Sequence, residues 1–376
     1  MQTVVSSANA KKRLLLYGAN GYTGRLIVEV ACARGLPVTL AGRRREAIEP
    51  LAQACGLPFE VFALDEAPRR LAERAGRFGA VLLAAGPFSR TSPPVLAACL
   101  KARVPYLDIT GEIGVFEAVF ARHAEAVKAG VPLLPGVGFD VVPTDCLAAA
   151  LAAALPGAVR LELAFRGFGV SAGTARTMIE GLPKGSAARV DGKLVGVPVA
   201  WKTRTVPFPD RPRFAVTIPW GDLSTAYRST GIPNIETYVA MPPAHVSALR
   251  WGRTLLPLAG LAPVQALLMA WAKRGIAGPT PEERARERSL LWGRVEDGEG
   301  RAVEGTVETL EGYTLTAETA CLAAERVLRG SVAAGALTPS RALGKGFLET
   351  VRETRLTVPS RVEGPSPARK AGPRKS

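Results

Sequence analysis

Residues 14–30 read LLLYGANGYTGRLIVEV. A short apolar run leads into three glycines, Gly18, Gly21 and Gly24, and a second apolar stretch with helical spacing follows. The pattern predicts a buried strand, a tight loop and a helix over 24–34 that begins near Thr23. Glycine at these positions permits a sharp turn and a close approach of backbone to a ligand. The helix start then offers free N–H groups to an anion. The spacing is GxxGxxG rather than GxGxxG, so the trio acquires meaning only from its strand–loop–helix setting. In that setting Gly18, Asn20, Gly21, Tyr22, Thr23 and Gly24 are expected to cradle a dinucleotide pyrophosphate.

Working outward, residues 13–135 alternate short apolar runs (RLLLYG, PVTLAG, FEVFAL, AVLLAAG, VPYLDI, VPLLPG) with stretches of helical spacing at 24–34, 45–55, 66–76, 92–102 and 113–129. Strands buried on both faces and joined by helices imply a parallel sheet with right-handed crossovers. The fold class expected is α/β, a doubly wound Rossmann-type sheet with ligands beyond the carboxyl ends of its strands. After a helix at 144–155 the strands become longer and more polar, at 158–167, 193–207, 213–219, 233–241, 289–297 and 301–310. RVEDGEGRAVEG reads as a hairpin. Helices are expected at 171–182, 243–251, 254–273 and 313–330. This predicts a second α+β domain on a largely antiparallel sheet. The expected division is a flexible leader at 1–12, a nucleotide domain at 13–143 and a substrate and dimerisation domain at 144–344. Residues 345–358 are expected to return to the first domain, and 359–376 to form a disordered basic tail.

The second strand ends in VTLAGRR. An NAD site places a carboxylate there to receive the ribose hydroxyls, whereas this chain has Gly42, Arg43 and Arg44. A guanidinium grips a 2′-phosphate that a carboxylate would repel. The expected cofactor is therefore NADP(H), with Arg43 as the direct contact. Asp65, after the third strand, either touches the adenine or caps the next helix. Ala85, Gly86 and Pro87, at the end of the fourth strand, are small enough to let the cofactor pass the sheet.

Two later loops carry polar groups. YLDITGE supplies Asp108, Thr110 and Glu112, and PGVGFDVVPTD supplies Asp140 and Asp145. Both loops are expected to project toward the nicotinamide, with Thr110 and Glu112 as substrate-side candidates, while helix capping is the plainer role for Asp108, Thr110, Glu112 and Asp145. Asp140, set between Phe139 and Val141, suggests a hydrogen-bonding or site-shaping role. Ser171 and Thr174 at a helix start are substrate-side candidates or simple caps, and Tyr227 is a candidate proton donor. Hydride transfer needs no protein nucleophile, and no GxSxG elbow or Ser-His-Asp order is present. The catalytic residue is left unassigned, with Asp108, Asp140 and Tyr227 as candidates.

With 376 residues and 47% apolar content, the chain can build a substantial core. Its formal charge of +15 comes from scattered arginines, without the basic helix that nucleic-acid binding would use. An anionic cofactor, substrate or membrane surface would use the same charge. Five cysteines without a CxxC pair argue against a disulfide framework, and two distant histidines against a zinc site. No metal is expected. The start of the chain does not read as a signal peptide, so a cytoplasmic location is expected. The uncharged stretch 254–272 (TLLPLAGLAPVQALLMAWA) predicts a buried or groove-forming helix pair, with peripheral membrane or acyl-chain contact and, last, a membrane span as the alternatives.

The order of YGANGYTGR, AGRR, AAGPF, YLDITGE and PGVGFDVVPTD resembles the saccharopine dehydrogenase-like oxidoreductases, nearest the trans-acting enoyl reductases of mycobacterial lipid synthesis. STGIPNIETYV, VEDGEGR and GYTLTAETACLAAERVL fit the same branch. The resemblance implies a dinucleotide site at Gly18, Gly21, Gly24 and Arg43, with GPF and DITGE around the nicotinamide and often a homodimer. It implies reduction of a C=C or C=O bond in a mostly apolar, acyl-chain-like substrate, with acyl-carrier contact as one partner. A saccharopine-type amino-acid or imine oxidation and a non-catalytic lipid-surface or scaffold role are the alternatives.

Overall fold

In the computed structural model the described residues are 13–166, 171–181, 185–255, 258–259, 261–275 and 278–359. The expected leader and all of the expected tail but Pro359 lie outside them. The first half runs β1 (Leu14–Tyr17), α1 (Tyr22–Ala33), β2 (Val38–Gly42), α2 (Arg45–Cys55), β3 (Phe59–Val61), α3 (Pro68–Ala75), β4 (Ala80–Leu83), α4 (Phe88–Ala102), β5 (Tyr106–Asp108), α5 (Ile113–Ala121), α6 (His123–Ala129), β6 (Pro132–Leu134) and α7 (Val142–Ala154). Then come β7 (Arg160–Arg166), α8 (Ala172–Gly181), β8 (Ser186–Val190), β9 (Lys193–Val197), β10 (Thr203–Pro207), β11 (Pro212–Thr217), α9 (Asp222–Thr230), β12 (Asn234–Ala240), α10 (Pro243–Gly252), α11 (Ala262–Gly275) and α12 (Pro281–Arg286). The chain closes with β13 (Arg288–Glu296), β14 (Ala302–Leu310), α13 (Gly312–Leu328), β15 (Gly335–Ala336), α14 (Pro339–Leu343) and β16 (Arg355–Thr357).

The first sheet has the order β15-β6-β5-β4-β1-β2-β3. Its pairs are all parallel, because each connection carries a helix that lets the next strand start from the same edge. Side chains of β1 and β4 are buried on both faces, as their unbroken apolar runs require. Six of the seven strands follow the doubly wound order 3-2-1-4-5-6, which places a ligand crevice between the loops after β1 and β4.

The second sheet runs β10-β11-β12-β7-β13-β14-β16, with the β8–β9 hairpin attached through β12. It is antiparallel except at β12 and β7. Asp297 closes the β13–β14 turn by accepting the N–H groups of Glu299 and Arg301, both at 2.9 Å. Between the two sheets lie α7 and α13. Cys146, Leu147 and Leu151 of α7 share one core with Leu315, Ala320 and Ala324 of α13.

Three expectations are corrected. The chain rejoins the first sheet at β15, not through 345–358, whose strand β16 instead pairs with β14. The strand read over 193–207 is two strands, β9 and β10, interrupted near Ala200, whose φ of 56° does not fit an extended chain. The helix read over 254–273 covers only Ala262–Gly275, and Pro257 lies outside the described residues.

Candidate functional site

The loop after β1 is built around its glycines. Gly18 has φ +94°, and a Cβ there would stand 2.8 Å from Ala85 at the end of β4. At Gly24 a Cβ would be 2.2 Å from the Gly18 carbonyl oxygen. The loop and the first turn of α1 therefore pack backbone against backbone, which any side chain would prevent. Gly21 takes the N-cap position of α1, no side chain caps the helix, and its first turn has no acidic residue. Such an end is a ready anion site.

Around this loop the expected cofactor residues converge, each with a different neighbourhood. Gly42 leaves room for the Asn20 side chain, whose Oδ1 lies 3.3 Å from where a Gly42 Cβ would be. Arg43 is exposed and pairs with no carboxylate among the described residues. Arg44, also exposed, lies 3.9 Å from Glu46. Asp65 is exposed too, and the N-cap position of α3 is Ala67, so Asp65 does not cap that helix. Tyr22 reaches into the second domain. Its hydroxyl bonds to the Pro279 carbonyl and accepts from Arg284 at 2.9 Å, and its ring meets Tyr313 edge-on at 4.9 Å. Thr23 is half-buried in the first turn of α1. Ala85, Gly86 and Pro87 leave β4 for α4, and the Ala85 carbonyl accepts from Thr91 Oγ1 at 2.6 Å.

The acids of the next two loops divide by their hydrogen bonds. Asp108 is fully buried, and both its oxygens are engaged: Oδ2 by Tyr106 at 2.6 Å, Oδ1 by the N–H groups of Thr110 and Gly136 at 3.0 and 2.9 Å. Burial pushes its carboxyl up to about 6 against the pull of those donors. It ties the loops after β5 and β6 together, and its engaged oxygens face other loop groups rather than a ligand. Thr110, also buried, accepts the Glu112 N–H at 3.1 Å. Glu112 in turn accepts the N–H groups of Phe88 and Ser89 at 2.7 and 2.9 Å. It is thus the anion at the N-terminus of α4, a structural role where a substrate contact was expected. Asp145 is bonded by Ser229 and by the Ser340 N–H, which joins α7 to α9 and α14.

Asp140 differs from all of these. It is half-buried, its carboxylate accepts no hydrogen bond among the described residues, and burial pushes it up to about 7. A Cβ on Gly111 would come 2.7 Å from its Oδ2, so that glycine makes the space the carboxylate occupies. Asp140 acts electrostatically on Tyr313 of α13 and on the fully buried Asp222 of α9.

Tyr313 is the residue that sequence reasoning missed. Its hydroxyl accepts the Ser171 N–H at 2.6 Å and lies 2.8 Å from Thr174 Oγ1, at the N-terminus of α8. Ser171 also caps that helix, accepting the Thr174 N–H at 3.3 Å. Helix α8 lies beside the loop after β4: a Gly86 Cβ would be 3.8 Å from Thr177 Oγ1, and Arg90 pairs with Glu180 at 3.6 Å. Tyr313 therefore links the glycine loop, through Tyr22, to Ser171 and Thr174, two of the four expected substrate-side residues. Tyr227 falls elsewhere. Its ring lies 4.2 Å from the Arg189 guanidinium and its hydroxyl abuts Gly192, against the β8–β9 hairpin. A cavity of about 680 Å³ opens beyond Pro279, but its Arg166 and Arg213 are paired with Glu287 and Asp210.

The described residues contain no cluster of His, Cys, Asp or Glu able to hold a metal ion. None of their helices is long and apolar enough to cross a membrane.

Residues 14–134 match the saccharopine dehydrogenase NADP binding domain. A trans-acting enoyl reductase of Mycobacterium ulcerans is 33% identical over 156 residues, 38% of this chain and 35% of that protein. A Mycobacterium tuberculosis protein named for the same activity is 32% identical over 188 residues, 46% of this chain and 45% of its own length. The chain thus spans less than half the length of these relatives. Among solved structures, apo saccharopine dehydrogenase (L-Glu forming) from Saccharomyces cerevisiae superposes with a TM-score of 0.61 at 13% identity, over 92% of this chain and 99% of that one. That likeness extends the shared architecture through the second domain. Residues 14–134, with their parallel sheet and glycine loop, are thus similar to a saccharopine dehydrogenase NADP binding domain, and the likeness over the rest of the chain is one of fold.

Proposed function

We propose that the protein is an NADPH-dependent reductase acting on a C=C or C=O bond of a mostly apolar, acyl-chain-like substrate. One observation carries this reading: Asp140, a carboxylate without a hydrogen-bond partner, lies in a loop at the ligand edge of the same sheet as the uncapped glycine loop. The residues present fit the coenzyme. Gly18 and Gly24 admit backbone only, the start of α1 offers its N–H groups, and Arg43 is free to hold a 2′-phosphate. Bound there, the nicotinamide supplies hydride.

The rest is the work of this chain's own side chains. With its carboxyl raised to about 7, Asp140 still carries a proton near neutrality and can give it to the atom left negative by hydride addition. Tyr313, Ser171 and Thr174 fix the start of α8 against the cleft and so set where the substrate lies. A dicarboxylate substrate would need free cations; Arg228 is occupied by Glu117 and the Phe120 ring, whereas Arg176 of α8 pairs with no carboxylate among the described residues.

The test begins with coenzyme titration by nicotinamide fluorescence. Arg43→Ala should weaken NADPH by about 10- to 100-fold and leave NADH unchanged, as loss of a charge-assisted hydrogen bond requires. Equal binding of both coenzymes by the wild type would refute the assignment of Arg43. NADPH oxidation is then followed against enoyl thioesters, ketones and imines. Turnover confined to imines, or none at all despite tight coenzyme binding, would overturn the proposed chemistry.

A further inference from the structure

The stretch 251–267 leaves bulky apolar side chains in water. Trp251 is 87% exposed, Leu267 72%, Leu255 64%, Leu261 52% and Leu258 51%. A folded chain ordinarily scatters such residues singly, so five within one short stretch mark a surface that meets something apolar. Of the large side chains on α10, only Val246 is buried, held by Ala200 and Val216. The helix thus has a small anchor and a broad free face.

Charge says what that partner is. No Asp or Glu occurs between Glu236 and Glu282, whereas Arg250, Arg253, Lys273 and Arg274 all fall in that interval. Arg253 is exposed beside Trp251, and Arg250 donates to the Ala200 carbonyl at 3.1 Å from an otherwise exposed position. A bulky indole, several leucines and basic residues in a stretch of sequence without Asp or Glu form the composition of a segment lying in the plane of an anionic bilayer. A second copy of the chain would set this basic stretch against itself, because a two-fold interface pairs each patch with its own image.

We propose that the exposed side chains of Trp251, Leu255, Leu258, Leu261 and Leu267 dock the protein on an anionic lipid surface. Helix α11 packs on α8, the helix whose start is fixed by Tyr313, so docking brings the cleft to the membrane. An acyl-chain substrate could then enter without crossing water. The proposal does not depend on the reductase chemistry, since vesicle binding is measured without coenzyme or turnover.

The experiment is flotation of the full-length protein with vesicles of phosphatidylcholine alone or of equal parts phosphatidylcholine and phosphatidylglycerol, at low and high salt. The wild type should float with the anionic vesicles at low salt, less at high salt, and not with phosphatidylcholine alone. Leu255→Glu and Leu267→Glu should each lower partitioning about tenfold or more, since each removes a leucine's burial and adds repulsion. Trp251→Ser, milder for folding, should lower it in the same direction. Circular dichroism and NADPH binding check that each variant is folded. The proposal falls if the wild type does not float at low salt, or if folded variants float as it does. It also falls if the substitutions instead split a wild-type dimer into monomers. Binding of an acidic acyl carrier protein through this patch, with vesicles ignored, would overturn it as well.

Discussion

Replacing Asp140 with Asn tests the electrostatics of the cleft without requiring a substrate. Burial raises the carboxyl from the ordinary 3.8 to about 7. At about 1.36 kcal/mol for each tenfold step in acidity, ionising Asp140 in the folded protein costs about 4 kcal/mol more than in the unfolded chain. Water reaching a half-buried carboxylate reduces this, so about 2–4 kcal/mol is expected. The sign follows from the upward direction. Below pH 3.8 the group is protonated in both states and costs nothing. As pH rises from 3.8 to about 7 the unfolded chain has released its proton while the folded protein still holds it, so stability falls across that window and levels off above it. Asn cannot ionise, so Asp140→Asn should match the wild type in acid and exceed it by about 2–4 kcal/mol above about pH 8. Urea denaturation of both proteins from about pH 4 to about pH 9 measures the difference, and other titrating groups largely cancel. Its neighbour Asp222 is fully buried, which holds its carboxyl well above the ordinary value. A difference that does not vary with pH, or that favours the wild type in alkali, would show that Asp140 is an ordinary solvated carboxylate. Its proposed part in proton transfer would fall with that result.

Two further substitutions test the scaffold. Gly24→Ala sets a Cβ 2.2 Å from the Gly18 carbonyl, against backbone that cannot rotate away. It should cost about 1–3 kcal/mol in denaturation and abolish measurable NADPH binding by fluorescence. Glu112→Ala removes the acceptor for two N–H groups at the start of α4 and should also cost about 1–3 kcal/mol. Unchanged stability in that variant would mean that Glu112 does not cap α4.

The first sheet was readable because its physics is local. A strand buried on both faces must be apolar throughout, and a loop that packs backbone on backbone must be glycine at Gly18 and Gly24. Arg43 was readable for the same reason, since its position follows directly from the end of β2. Loop acids were harder. Asp108, Glu112, Asp140 and Asp145 look alike in sequence, and only the folded partners separate three engaged carboxylates from the one left open. Tyr313 was hidden by distance, because it reaches Ser171 across 142 residues and sits in what reads as an ordinary amphipathic helix. Tyr227 misled because a tyrosine's hydroxyl carries no sign of the cleft it faces; here it abuts a β-hairpin turn. The uncharged 254–272 stretch predicts burial or a groove because sequence does not show which face packs, yet Leu255, Leu258, Leu261 and Leu267 are exposed.

The path of the chain back through β15 affects how the molecule can open. The two sheets are joined after β6, again between β14 and β15, and once more between β15 and β16. A single tether would let one half swing or twist freely against the other. Three tethers, with α7 and α13 packed in one core that reaches both sheets, resist such a twist. The same wiring means that a protease cut in either half releases no intact half. Cleavage after residue 330 would strip β15 from the edge of the first sheet and β16 from the second, which exposes two strand edges at once.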